Sequence, residues 1–351
     1  MKLKAGIMGA TGMVGQRFIM ALREHPWFEL SCLMASSNSA GKKYKDAAKW
    51  YLKDEIPAGI SDMVVEEINK KVAEKYDLDI VFSAIPSEFA RDIEASFAES
   101  IGVFSNTSTY RMDKDIPLLV PEVNPEHLGI IEAQKKNRGW EGFIVTNPNC
   151  STAGLVVPLK PIMDNYGIKS VNVTTMQAIS GAGYDGVPSM AILDNLIPFI
   201  KGEEEKMETE PQKILGRLEK NEFKQASFEA FASCNRVMVL DGHTEAAFVY
   251  TEKDFDIEDV KKKLRDFQGE PQKMCLPTAP NPPIVLMEKD DRPQPRFDRD
   301  LGGGMAVSVG RLRKKKEKLL KFVCLSHNTI RGAAGASVLN AELAYKKKLI
   351  N

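Results

Sequence analysis

The stretch Leu3-Lys4-Ala5-Gly6-Ile7-Met8-Gly9-Ala10-Thr11-Gly12-Met13-Val14-Gly15 decides the fold of this chain. Leu3 to Met8 reads as a buried strand and Met13 to Leu22 as a helix, with glycines where strand must turn tightly into helix. Gly9 permits the turn, Gly12 admits a phosphate close to the backbone, and Gly15 lets the helix pack closely. Thr11, Met13 and Val14 complete a loop whose free N–H groups at the helix start suit a pyrophosphate. An ordinary tight turn is the bland alternative; the strand-before, helix-after setting favours a dinucleotide.

Working outward, Phe28 to Ala35 reads as a second strand and ends in Ala35-Ser36-Ser37-Asn38-Ser39, with Lys42 and Lys43 beyond. An NAD site usually places a carboxylate here on the ribose. Hydroxyls at Ser36 and Ser37 followed by cations suit an added phosphate instead, so the expected cofactor is NADP(H). A polar loop whose lysines serve solubility is the competing view. Strand patterns at Asp77–Ala84, Ile101–Asn106 and Phe143–Thr146, with a helix at Glu88–Glu99, continue the alternation. The first half is therefore expected to be an α/β, Rossmann-type NADP-binding domain over residues 1–150.

Beyond residue 150 the texture changes. Ser170–Ala178, Arg236–Val239, His243–Tyr250, Ile284–Glu288, Met305–Leu312 and Leu319–Leu325 read as strands, and Phe255–Phe267 as a helix with lysines outward. This predicts an α+β catalytic and dimerisation domain over 151–327, with a mixed, largely antiparallel sheet. A helical segment at 328–351 is expected to return to the first domain. Gly202–Lys213 reads as charged and mobile, and Arg313–Lys318 as a solvated hairpin.

The 48 basic residues balance 48 acidic ones, which removes any global charge argument for nucleic acid or an anionic membrane. Five widely spaced cysteines without a Cys-x-x-Cys pair resemble a reduced, intracellular protein, and neither they nor the four histidines show zinc-ligand spacing. The strand pattern begins at Leu3, leaving no room for a signal peptide, and the apolar runs are too short to span a bilayer. A cytoplasmic location with no metal is the expectation.

The chemistry centres on Asn147-Pro148-Asn149-Cys150-Ser151-Thr152. A cysteine at a helix start sits in partial positive charge that favours thiolate, with backbone N–H groups near a developing oxyanion. Most cysteines are small core residues, and that reading is kept for the other four. His243, in Asp241-Gly242-His243-Thr244, is the acid–base candidate near neutral pH. His25 before Pro26 reads as a surface turn, His127 as a polar helix start, and His327 as a packing or cofactor-side residue.

These residues resemble the aspartate-semialdehyde dehydrogenase family, in its archaeal and fungal branch, over essentially the whole chain. The resemblance rests on the Gly9–Gly15 turn, Ser105-Asn106-Thr107-Ser108 with Arg111, and Asn147 to Thr152. It extends to Ser180-Gly181-Ala182-Gly183, Glu203 with Lys206, Arg236 seven positions before His243, and Asn328-Thr329-Ile330-Arg331-Gly332. It implies reversible NADPH-dependent conversion of L-aspartyl 4-phosphate to L-aspartate 4-semialdehyde and phosphate through a thioester on Cys150, with His243 as acid–base and Gln177 orienting substrate. Arg236 would receive the substrate carboxylate and Glu203 its amino group, with Asn149 beside them; Arg111 and Lys206 would hold phosphate. Ser180, Gly181, Gly183 and Asn328 would surround the nicotinamide. A homodimer or homotetramer is implied, assembled through the second domain.

The competing view of Gln177 is a structural amide, and of Glu203 and Lys206 a solvated run of charge. A malonyl-CoA reductase shares this fold and cysteine chemistry but releases coenzyme A. N-acetylglutamyl-phosphate reductase has a similar Gly-rich turn and a bulkier substrate. A non-catalytic NADP-binding scaffold is the reading outside enzymology, and the joint presence of Cys150, Gln177, Arg236 and His243 argues against it.

Overall fold

A computed structural model describes residues 2–350. The first sheet contains β1 (Leu3–Met8), β2 (Phe28–Ala35), β3 (Glu66–Glu67), β4 (Ile80–Ser83), β5 (Gly102–Ser105) and β6 (Phe143–Thr146). Their order is β3-β2-β1-β4-β5-β6, parallel throughout. Successive side chains on β4 alternate between two cores. Phe82 joins Phe18, Phe104 and Leu339 on one face, and Val81 joins Phe97, Val103 and Ile144 on the other. A sheet covered on both faces explains strands that are apolar at nearly every position. The two-residue β3 had no legible strand signal, yet it carries Glu67 opposite Ala35.

The second sheet contains β7 (Ser170–Gln177), then, after a small hairpin of β8 (Arg217–Glu219) and β9 (Glu222–Lys224), β10 (Glu229–Arg236), β11 (His243–Tyr250), β12 (Ile284–Met287), β13 (Val307–Lys316) and β14 (Leu319–Ser326). Its order is β10-β7-β11-β14-β13-β12, with parallel pairing at β10/β7 and β12/β13 and antiparallel pairing elsewhere. One face packs on the helix Cys150–Tyr166; Val171, Val173, Ala247, Val249 and Phe322 point into that core. The other face is open, with Phe231 and Phe248 exposed.

Two expectations fail here. The strand near Arg236 precedes it, Glu229 to Arg236, because the polar-apolar alternation begins eight residues earlier than the apolar run Val237–Val239 suggests. The segment read as mobile charge is a helix, Glu203–Ile214. Glu203, Met207, Glu210, Lys213 and Ile214 are buried at helical spacing, so one face of a charged sequence serves as an inner face. Residues 335–344 of the last helix, Gly335–Lys346, are buried on all sides; Val338 and Leu339 pack in the core with Phe18 and Phe104 of the first domain. Between Thr329 and Gly335 the chain makes a five-residue π turn, Ile330–Ala334. Among the described residues no helix is long and apolar enough to cross a membrane.

Candidate active site

Three strand ends meet at one edge of the second sheet. Gln177 closes β7, Arg236 closes β10 directly beside it in register, and His243 opens β11 opposite Ser326 of β14. The helix Cys150–Tyr166 begins over this edge. Asn149 caps it: its side-chain oxygen accepts the N–H groups of Ser151 at 2.9 Å and Thr152 at 3.3 Å. The cap places Cys150 at the first helical position. It also consumes two backbone donors expected to face an oxyanion, so the helix start offers Cys150 its dipole without those two N–H groups.

Cys150 Sγ lies 3.2 Å from His243 Nε2, and the backbone N–H of Ala178 donates to His243 Nδ1 at 3.0 Å. An Nδ1 that accepts leaves the proton of the neutral ring on Nε2, facing sulfur. The expected thiolate does not follow from the helix start alone. Burial pushes the Cys150 thiol up to about 12, with Glu203 adding to it, against Arg111, Arg236 and Lys206. Burial likewise takes the His243 imidazole down to about 3, helped by Arg236. The dipole is outweighed by burial, complete at His243 and partial at Cys150, which faces the cavity. The resting pair is a neutral thiol against a neutral imidazole.

Glu203 is buried, not solvated. Its Oε2 accepts from Asn149 Nδ2 at 2.7 Å and Gln177 Nε2 at 3.3 Å, and its Oε1 lies 3.0 Å from Lys206 Nζ. Burial alone would raise this carboxyl, but Lys206 and the hydrogen bonds from Asn149, Lys206 and Gln177 hold it below its ordinary value. Arg236 donates Nη1 to Ala178 O at 2.7 Å. Arg111 donates Nη2 to Asn106 O at 2.9 Å and Nη1 to Glu210 at 2.9 Å.

A cavity of about 390 Å³ opens in front of Cys150. Arg111, Asn149, Glu203 and Lys206 line it on the side of the charged helix. Gly12, Met13 and Val14 line it from the Gly-rich turn, and Ser180, Gly181, Gly183 and Asn328 from loops of the second half. Asn328 ties these loops together, donating to Ser180 Oγ at 2.8 Å and accepting the N–H of Gly242 at 2.8 Å. Gln177, Arg236 and His243 stand outside this lining, with His243 Nε2 and Gln177 reaching the site through Cys150 and Glu203.

A neighbouring cavity of about 480 Å³ shares Gly12 and is lined by Gly9, Thr11, Ser36 and Ser37. Gly9 has φ +83°, and a Cβ there would come within 2.6 Å of Ala84 O, so the turn is shaped for bare backbone. Gly15 packs its Cα side against Gly9 and Ala10. These residues fit a dinucleotide whose pyrophosphate sits on the turn. Lys42 and Lys43 do not line the cavity; Lys42 reaches Asn38 O and Lys43 pairs with Asp62 at 3.0 Å. Glu67 does line it, so the end of β2 is not free of carboxylates as its own sequence implied.

The other histidines sit inside the protein. His25 is buried, not on a surface turn: its Nε2 lies 2.8 Å from Glu342 and its ring stacks on Phe28. His127 is buried beside Asn124 at 2.9 Å, and burial takes its imidazole down to about 4. His327 is buried near Thr329. Cys32, Cys234 and Cys324 are core residues; Cys275 is exposed, contrary to expectation, at a turn with φ +52°.

Sequence reading missed Glu210 and Lys213. Glu210 Oε2 accepts the Asn149 N–H at 2.6 Å, and Lys213 Nζ donates to the carbonyls of Arg111, Asp113 and Ile116 at 2.7–2.8 Å. The signal was Met207 and Ile214 seven residues apart, which puts Glu203, Glu210 and Lys213 on the same buried side.

Two family descriptions match the chain: "Semialdehyde dehydrogenase, NAD binding domain" over residues 4–131 and "Semialdehyde dehydrogenase, dimerisation domain" over 159–331. It is 57% identical over 343 residues to an aspartate-semialdehyde dehydrogenase of Methanothermobacter thermautotrophicus, covering 97% of this chain and 98% of that one. It is 48% identical to that of Candida albicans over 362 residues, covering 99% of each. The crystal structure of a Candida albicans aspartate semialdehyde dehydrogenase with NADP superposes with TM-score 0.91, 46% identity and full coverage of both chains. That of aspartate semialdehyde dehydrogenase II from Vibrio cholerae complexed with ASA gives 0.76 at 31% identity over 99% of each.

Proposed function

The chain belongs to the aspartate-semialdehyde dehydrogenase family, and from that premise we propose that Cys150, His243, Gln177, Arg236, Glu203, Arg111 and Lys206 carry its reaction. The reaction is the reversible, NADP-dependent interconversion of L-aspartyl 4-phosphate with L-aspartate 4-semialdehyde and phosphate. The single observation that carries the assignment is Cys150 Sγ at 3.2 Å from His243 Nε2, at the start of a buried helix and facing a cavity with cations on its far wall.

In the reductive direction Cys150 sulfur attacks the acyl carbon, the C–O bond to phosphate breaks, the thiol proton leaves with the phosphate, and a thioester forms on the enzyme. Arg111 and Lys206 receive the departing phosphate charge. A nicotinamide held beside Ser180, Gly181, Gly183 and Asn328 would supply the hydride chemistry at that carbon in either direction. His243 holds a proton at Nε2, 3.2 Å from sulfur, and returns it to the thiolate as the aldehyde is released. Arg236 and Glu203 hold the substrate's carboxylate and ammonium, and Gln177 links Glu203 to the sheet edge behind Cys150. Gly9, Thr11, Gly12, Met13, Val14, Gly15, Ser36 and Ser37 would hold the dinucleotide, and Ser180, Gly181, Gly183 and Asn328 its nicotinamide end.

A homodimer or homotetramer is supported by the open face of the second sheet. Phe231 and Phe248 are exposed there, and Met190 is 88% exposed on the short helix Ser189–Ile192. The five free thiols suit a reducing, cytoplasmic compartment.

The test mixes purified protein with aspartate semialdehyde, NADP and phosphate and follows NADPH formation. Phosphate-dependent turnover that Cys150→Ala abolishes is expected. Turnover with malonate semialdehyde and coenzyme A only would overturn the substrate while leaving the cysteine chemistry. Tight NADP binding with no turnover of either aldehyde would overturn the enzyme assignment.

A further inference from the structure

We infer that Glu210 is a positioning residue that sets Arg111, the phosphate-binding cation, at a fixed place relative to the nucleophile; the inference rests on the reaction assigned above. Glu210 is 2% exposed and lies seven residues after Glu203, on the same inner side of the helix Glu203–Ile214. Its two oxygens do different work. Oε1 accepts from Arg111 Nη1 at 2.9 Å, and Oε2 accepts the backbone N–H of Asn149 at 2.6 Å. Asn149 is the cap of the helix that begins at Cys150. One carboxylate therefore joins the residue that meets phosphate to the residue that aims the thiol.

The same helix grips both partners again. Glu203 accepts from the Asn149 side chain at 2.7 Å, and Lys213 Nζ donates to Arg111 O at 2.7 Å. Arg111 is thus held at its guanidinium by Glu210 and at its carbonyl by Lys213, three residues apart on one helix. Phosphate leaves from the tetrahedral carbon that sulfur addition creates, so the distance from Arg111 to Cys150 governs how well the cation meets the leaving group.

The residue type follows from the donors. Both groups facing Glu210 are N–H donors, and only a carboxylate accepts on both sides. A glutamine of the same size would accept from one and present its own NH2 to the other. Charge and position then predict opposite signs. Removing a negative charge beside Arg111 would, by itself, tighten phosphate binding; losing the position of Arg111 would weaken it. We expect position to win, because a displacement of about 1 Å in a positioned group costs far more than partial relief of compensation.

The experiment is a double-mutant cycle in the oxidative direction, with aspartate semialdehyde and NADP fixed and phosphate varied. Glu210→Gln is expected to raise the phosphate KM about tenfold or more while the aldehyde KM stays within about twofold. Lysine cannot present a fork, so in an Arg111→Lys background the same change is expected to add no more than about twofold. A phosphate KM that falls or stays level in Glu210→Gln overturns the inference. So does a parallel rise of both KM values, or full additivity with Arg111→Lys, either of which marks a structural residue. Should Glu210→Gln fail to fold, Glu210→Asp runs the same cycle, since it keeps the charge but is one methylene too short to span both donors. Absence of phosphate-dependent turnover in the unmodified protein would instead sink the reaction assignment.

Discussion

His243 Nε2 sits 3.2 Å from Cys150 Sγ while its Nδ1 accepts the Ala178 N–H at 3.0 Å, so the ring is oriented with its proton toward sulfur. Burial drives the thiol up to about 12 and the imidazole down to about 3. The raised thiol stays protonated through neutral pH, and the lowered imidazole gains its second proton only in strong acid. Alkylation of the cofactor-free enzyme by iodoacetamide should therefore keep accelerating from pH 7 to pH 10. A rate already level at pH 7 would mean a thiolate–imidazolium pair and refute this reading.

Gly332 lies in the π turn packed on the nucleophile. A Cβ there would come within 2.6 Å of Cys150 Cβ and 2.9 Å of its Cα, so the start of that helix would have to shift. Gly332→Ala should lower kcat about a hundredfold by displacing Cys150. NADP affinity, measured by calorimetry, should stay within a few-fold, since the Gly-rich turn is untouched. Equal losses in both would show that this turn serves the cofactor first.

Arg331 and Glu122 form an ion pair with both side chains fully buried, Nη2 to Oε1 at 2.5 Å and Nη1 to Oε2 at 3.1 Å. Removing one partner strands a charge. Glu122→Ala should cost about 3–5 kcal/mol of stability, read as a lowered urea midpoint. A cost below about 1 kcal/mol would mean that water or another group reaches Arg331.

The nucleotide half was legible because its signals are local. A strand, three spaced glycines and a helix follow one another, and β1 and the first helix begin and end where the pattern puts them. Cys150, Glu203 and Arg236 were found by motif, but their settings were not, since burial depends on contacts far along the chain. The Glu203–Ile214 helix shows why. Its inner face is built from Glu203, Glu210 and Lys213, which composition assigns to water, and only their partners Asn149, Arg111 and the carbonyls of 111–116 make that face dry. His25 was misread for the same reason: its partner Glu342 lies 317 residues away.

The cavity at the end of β2 sets the cofactor preference through neighbours of opposite effect. Ser36 and Ser37 offer hydroxyls, Glu67 stands at the same cavity, and Lys42 and Lys43 are engaged elsewhere. Ser37→Asp should therefore raise the NADP KM about tenfold, because a second carboxylate there repels the added phosphate and can hold a ribose hydroxyl of NAD. Glu67→Gln should act the other way, lowering the NADP KM a few-fold with little change for NAD. Lys42→Ala should leave both values within about twofold, its ammonium lying outside the cavity. A large rise in NADP KM from Lys42→Ala would show that the loop after Ser37 swings over the nucleotide when it binds, and would return the lysine to the site.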